Sequence, residues 1–131
     1  MNEQTEPWAE LDKVLSGKTL VLTTFRRSGV GVPSGVWAAK IDGRYYFTTP
    51  SSTGKVKRLA HTNRVTFGPG DSRGRAVPGA VVDAVATPAS ADLLPAFRAA
   101  MRAKGAIMSR VIELMYKVKK DQRLVYQLTR P

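Results

Sequence analysis

The chain reads as a mainly β protein, a small six-stranded antiparallel barrel with helices at its periphery. Three observations point there. Short β-rich runs recur along the chain, punctuated by Gly and Pro turns. Asp42-Gly43 between two such runs is the pattern of a two-residue type I′ hairpin. The remaining segments, about 5–16 and 90–118, carry helical apolar stripes suited to peripheral helices.

The elements follow in order. Thr5 caps a first helix over about residues 5–16, with Pro7 in its first turn and Gly17 past its end. Its apolar stripe is Trp8, Leu11, Val14 and Leu15. Lys18 to Phe25 is a strand, turned by Arg26-Arg27-Ser28-Gly29 into a second strand over Val30 to Lys40. Pro33 and Gly35 within that second run suit an edge or a bulge. Arg44 to Thr49 is the third strand. A loop and a short basic helix follow, then a fourth strand over Arg64 to Phe67 and a Gly/Pro-rich loop from Gly68 to Gly79. Ala80 to Thr87 is the fifth strand. Ser90 caps a helix whose face is Leu93, Leu94, Phe97 and Met101. A second helix, about Ile107 to Val118, presents Ile107, Val111, Leu114, Met115 and Val118. Arg123 to Thr129 closes the barrel, alternating Leu124, Tyr126 and Leu128 with polar neighbours. The barrel thus spans about 18–88 plus 123–129, the later helices about 90–118, and all 131 residues form one domain.

Composition excludes several classes. With no Cys and one His, disulfides and a Cys/His zinc site are ruled out, and no metal site is expected. No apolar run is long enough to span a membrane, so no stable insertion is expected. The start lacks a secretory signal pattern, which makes the cytoplasm the default location. A Ser/His/Asp triad would rest on His61 alone, and carboxylates are scarce: Asp71 and Asp83 are the acids between Gly43 and Ser90. No catalytic residue is assigned, although His61 could donate a proton or hold a phosphate.

The charge is the exception. A net charge of +11 on 131 residues calls for an anionic partner. Lys55, Lys57, Arg58, Arg64, Arg73 and Arg75 crowd one stretch against Asp71, and a second cluster runs from Arg98 to Arg123. Both are interleaved with apolar residues, as faces of folded elements are.

The stretch Tyr45-Tyr46-Phe47-Thr48-Thr49-Pro50-Ser51-Ser52-Thr53-Gly54-Lys55-Val56-Lys57-Arg58-Leu59 carries the most functional content. An aromatic strand enters a hydroxyl-rich loop, and the loop enters a basic helix. A helix start offers unpaired N–H groups and partial positive charge. With Thr49, Ser51 and Thr53 ahead of it and Lys55, Lys57 and Arg58 in its first turn, it is a concave anion site suited to a cofactor phosphate. The other reading is an ordinary strand–loop–helix junction with a solvated basic turn, and spacing alone does not choose between them.

Other features are weaker. Gly29, Gly31 and Gly35 lack dinucleotide-fingerprint spacing and lie between two strands. The aromatics are not interleaved with the basic residues as in RNA-stacking surfaces, and no helix-turn-helix is visible, so nucleic acid is not the expected partner. The helix from Ile107, flanked by cations, could lie on an anionic membrane surface or cover the barrel.

One resemblance ties these features together. Leu22-Thr23-Thr24-Phe25, a Gly turn, Pro33 followed by Val36-Trp37-Ala38, Asp42-Gly43-Arg44-Tyr45-Tyr46, Gly54-Lys55-Val56-Lys57-Arg58-Leu59, Asn63-Arg64-Val65-Thr66 and Asp71-Ser72-Arg73-Gly74-Arg75 occur in that order. The set resembles the split-barrel flavin/deazaflavin oxidoreductases related to pyridoxamine-phosphate oxidase, and most of all the actinobacterial branch that uses the deazaflavin coenzyme F-420. The likeness covers about Lys18 to Thr87 and extends loosely to the last strand. It implies a homodimer with cofactor clefts at the subunit interface and a small-molecule substrate. Lys55 matches the phosphate-contacting lysine, Thr49 and Thr53 the loop contacts, Lys57 and Arg58 the deazaflavin branch's basic turn. Val36 and Trp37 match the strand against which the tricyclic ring lies. Two departures from the oxidase pattern, Gly54 in place of an arginine and no arginine on the second strand, put pyridoxal-phosphate chemistry in doubt and leave FMN as runner-up cofactor. The deazaflavin carries a phosphodiester and an oligoglutamate tail, a polyanion that would account for part of the charge. The expected activity is hydride transfer between reduced deazaflavin and an unsaturated or quinone-like acceptor. An FMN-binding relative, a non-catalytic deazaflavin-binding protein and, further off, a basic nucleic-acid-binding module are the alternatives.

Overall fold

A computed structural model of the chain describes residues 20–71, 75–79, 81–104 and 122–131. Six strands, β1 (Leu20–Phe25), β2 (Gly31–Ile41), β3 (Arg44–Pro50), β4 (Arg64–Pro69), β5 (Val82–Ala89) and β6 (Arg123–Thr129), close a barrel in the order β1-β2-β3-β6-β5-β4. Every neighbouring pair is antiparallel. Helix α1 (Gly54–His61) links β3 to β4, and a 3₁₀ turn (Ala91–Leu93) leads into α2 (Leu94–Lys104). The expected helices over 5–16 and 107–118, and Arg73, lie outside the described residues.

The turns behave as their residues dictate. Asp42 and Gly43 both take positive φ, 51° and 77°, as a type I′ turn demands. At the first hairpin Gly29 takes φ 91° and its N–H donates to the carbonyl of Arg26 at 2.8 Å. Pro33 falls where β2 pairs with β1 only, because the β2–β3 ladder begins at Trp37 opposite Thr48. The edge expected there is thus a parting of β2 from β3 within an otherwise closed barrel.

Alternation sorts the side chains into two cores. Leu20, Leu22, Val36, Ala38, Tyr45, Phe47, Val65, Phe67, Ala84, Ala86, Tyr126 and Leu128 fill the barrel, with Leu59 of α1 packed among them. Phe47 meets Phe67 edge-on at 5.9 Å and stacks on Tyr126 at 5.2 Å. On the outer face of β2, β3 and β6, the residues Ala39, Tyr46 and Val125 receive Phe97 and Met101 of α2. Arg123 lies 5.4 Å from the Phe97 ring centre and donates to Thr48 Oγ1 at 3.3 Å.

Several boundaries differ from expectation. β4 continues two residues past Phe67 because Gly68 and Pro69 pair with Val21 and Leu20. β5 begins at Val82, opposite Phe67, and runs through Pro88 and Ala89, which pair with Tyr126 and Val125. Ser90 accepts from Asp92 N–H at 3.1 Å and so caps the 3₁₀ turn, with α2 starting at Leu94.

Candidate anion site at the start of helix α1

The loop between β3 and α1 is held from within. Ser51 N–H donates to the carbonyl of Gln122 at 2.8 Å, tying the loop to the approach of β6. Thr53 Oγ1 donates to the carbonyl of Pro50 at 3.0 Å and lies 3.1 Å from Thr49 Oγ1. Thr49 is buried beneath the loop. The hydroxyls of Thr49 and Thr53 thus shape the turn.

That use leaves the helix start open. Thr53 is the N-cap residue, yet its side chain makes no capping bond. Among the described residues neither Gly54 N–H nor Lys55 N–H has an acceptor; the first turn is served only from Val56, whose N–H reaches the Thr53 carbonyl at 3.2 Å. No acidic residue stands in the first turn to balance the dipole.

Two cations converge on this end. Lys55 and Arg58, three residues apart, share a helix face, whereas Lys57 is exposed and turned away by its spacing of two from Lys55. Burial, and then the guanidinium of Arg58, hold the Lys55 ammonium below its ordinary 10.5. Arg58 Nε donates to Thr24 Oγ1 on β1 at 2.6 Å. Thr24 is fully buried, so this bond pins the guanidinium to the barrel. Among the described residues no carboxylate lies within ion-pair distance of Lys55 or Arg58.

The structure therefore brings Lys55, Arg58 and the helix start together, framed by Thr49 and Thr53, and sets Lys57 apart. Arg75 is already engaged: its Nε and backbone N–H both reach the carboxylate of Asp71, at 3.0 and 2.9 Å. Val36 points into the barrel, while Trp37 is outward and half-buried beside α2. Trp37 pairs with Thr48, so this strand position adjoins the end of β3 that feeds the loop. Thr24 was not among the expected site residues. Its nearest signal was its place in the Leu22–Phe25 run, and only the fold shows that it meets Arg58 from 34 residues away.

His61, in the last turn of α1, is exposed and accepts at Nδ1 from Arg27, at 3.3 Å from Nε and 3.2 Å from Nη2. An arginine only donates, so the ring proton of this arrangement is on Nε2. Among the described residues no group of three or more His, Asp or Glu could hold a metal ion, and no helix is long and apolar enough to cross a membrane.

The architecture has solved counterparts. A conserved hypothetical protein, Rv2991 from Mycobacterium tuberculosis, is 20% identical with TM-score 0.63 over 97% of this chain and 82% of that one. HutZ, the heme storage protein from Vibrio cholerae, is 15% identical with TM-score 0.62 over 96% and 91%. A putative pyridoxamine 5′-phosphate oxidase from Listeria innocua is 13% identical with TM-score 0.53 over 92% and 90%. At these identities the likeness defines the fold, the split barrel of pyridoxamine-phosphate-oxidase-like proteins. No family model matches the chain, and no curated protein does.

Proposed function

We propose that the protein binds the deazaflavin coenzyme F-420 and works as an oxidoreductase, passing a hydride between the reduced coenzyme and an unsaturated or quinone-like small molecule. One observation carries the reading: two cations, one of them held below its ordinary pKa, meet at an uncapped helix start with no carboxylate among the described residues to balance them. A phosphodiester there would satisfy Gly54 and Lys55 N–H, neutralise Lys55 and Arg58, and restore the ammonium's pKa.

The deazaflavin, when bound, supplies the hydride chemistry. The chain's own residues position and stabilise. Thr24 fixes the Arg58 guanidinium, the Thr49–Thr53 pair shapes the loop, and Trp37 offers an aromatic wall on the outer face. Because Phe47, Phe67 and Tyr126 fill the barrel, the ring must lie outside it, and a second subunit would cover the ring's other face. FMN shares the phosphate but lacks the anionic tail, so it remains the runner-up, as does coenzyme binding without turnover. Heme gains no support from the one histidine, since His61 lies at the far end of α1 from the anion site and its Nδ1 is engaged by Arg27.

The test is titration of the full chain with reduced and oxidised deazaflavin, FMN, heme and duplex DNA, followed by fluorescence or absorbance. Saturable binding of the deazaflavin, tighter than FMN, is the expected outcome. Binding of DNA or heme alone would overturn the assignment.

A further inference from the structure

The other end of α1 opens on an unrelated groove of about 600 Å³, within the range of small-molecule sites. Its walls come from the β1–β2 turn, the end of α1 and the outer faces of β4 and β5. Arg26, Arg27 and Arg64 line it with His61 and Thr66, and Asp83 is the carboxylate on its wall. Thr66 and Asp83 face each other across the β4–β5 ladder. The length of the helix from Gly54 to His61, about 10 Å of rise, separates this groove from Gly54.

Two features distinguish it from a solvated basic face. Arg27 reaches an acceptor without negative charge, the Nδ1 of His61, from both Nε and Nη2, so its side chain is steered while its charge stays unbalanced. Among the described residues none of the three arginines lies within ion-pair distance of Asp83, although all four side chains line one concavity. Three like charges around one open groove attract an anion, and the His61 Nε2–H adds a donor. Asp83 restricts what fits. It repels an extended polyanion that would cover the whole groove, and it accepts a hydrogen bond from a hydroxyl or amino group on a compact one. Phe25 supplies an apolar wall.

We infer that this groove is a second anion site, taking a small organic molecule by its carboxylate or phosphate at Arg26, Arg27 and Arg64. It does not depend on the coenzyme assignment, since no residue is shared with the α1 start.

The probes are inorganic phosphate and benzoate, titrated into the coenzyme-free full chain at constant ionic strength and followed by amide chemical shifts. Saturable shifts are expected at Arg26 to Gly29, His61, Thr62, Arg64, Thr66 and Asp83. Arg27→Gln should raise the dissociation constant on the order of tenfold, the worth of one charge-assisted hydrogen bond. Asp83→Asn should lower it for both probes while the saturable shifts stay confined to the groove residues, whereas a merely solvated face would gain only diffuse, unsaturable shifts. Arg26→Gln and Arg64→Gln, at exposed positions, give the same reading should Arg27→Gln fold poorly. Linear, unsaturable shifts spread over Lys57 and the rest of the basic surface would overturn the site. So would shifts that follow protein concentration without probe, or a single-stranded oligonucleotide that displaces phosphate and ignores Asp83→Asn. Phosphate shifts confined to Gly54 and Lys55 would sink this groove and leave the coenzyme assignment standing.

Discussion

The guanidinium of Arg58 occupies the space in which a side chain at position 54 would stand. A Cβ built on Gly54 would come within 2.8 Å of Arg58 Nη1. The guanidinium can fold back along α1, reach Thr24 and flank the open helix start because residue 54 has no side chain. The chain thus places at Gly54, by way of Arg58, a guanidinium that its split-barrel resemblance expects on residue 54 itself.

Gly54→Ala tests that exchange directly. The backbone at Gly54 is outside the left-handed region and the clashing atom is the end of a flexible side chain, so the fold accommodates the methyl group. Stability should change little: alanine adds up to about 1 kcal/mol by stiffening the unfolded chain and favouring helix, and loss of the Arg58 bond to buried Thr24 costs about as much or somewhat more. Coenzyme affinity should fall on the order of tenfold as Arg58 is displaced from Thr24. Thermal melts and a binding titration on one variant read both; affinity unchanged at wild-type level would refute the role given to Gly54.

What the sequence disclosed and what it hid have physical reasons. β6 was legible at both ends, Arg123 and Thr129, because Leu124, Tyr126 and Leu128 recur at every second position there and no Gly or Pro interrupts the run. The Asp42-Gly43 turn was legible because its conformation demands those residues. β5 was legible only in its middle: its run of small apolar residues has no sharp end, and pairing with Tyr126 and Val125 carries it past Thr87 through Pro88 and Ala89. At the site, the cations and hydroxyls could be read, but not their division of labour. That Arg58 and not Lys57 joins Lys55 follows from helix spacing, but the Thr24 anchor and the Arg27–His61 contact depend on how β1 is set against α1. Such long-range geometry leaves no local pattern in the chain.

Lys55→Ala should weaken deazaflavin binding by roughly 1.5–3 kcal/mol, ten- to a hundredfold, by loss of one charge-assisted hydrogen bond. An unchanged dissociation constant in a folded variant would remove Lys55 from the phosphate site.

Lys55 should also leave a mark on the stability of the coenzyme-free protein. Its folded-state pKa lies below the ordinary 10.5, so as pH rises the native chain loses this proton before the unfolded chain does. Between those two values the unfolded state holds more protons, and stability contributed by this group rises with pH. The wild-type minus Lys55→Met stability difference should therefore climb with pH as 10.5 is approached, and saturation with coenzyme should abolish the climb. A difference that is flat, or that falls, would contradict the buried, like-charged setting of Lys55.

The protein should be a homodimer in solution. The barrel interior is filled, so a tricyclic ring held near Lys55 must lie on an outer face that a second subunit can cover. Light scattering should return about twice 14.3 kDa at micromolar concentration. A stable monomer that still binds the coenzyme tightly would rule out a shared cleft.

Finally, the preference for deazaflavin over FMN should shrink as salt rises, and the two basic residues of the α1 turn should divide its causes. The ring and first phosphate are common to both ligands; the anionic tail is what differs. Exposed charge pairs along a tail are screened once the Debye length falls to about 3 Å near 1 M salt, whereas a partly buried phosphate contact is screened less. Lys57 is exposed and apart from the phosphate cluster, so Lys57→Gln should lower deazaflavin affinity only at low salt and leave FMN untouched. Arg58, half-buried and anchored on Thr24, belongs to the phosphate, so Arg58→Gln should weaken both ligands at every salt concentration. If Arg58→Gln instead altered only the salt slope, Arg58 would belong to the tail and Lys55 alone would hold the phosphate. If neither variant changed affinity or slope, the basic turn would be a solvated face and the coenzyme assignment would fall with it.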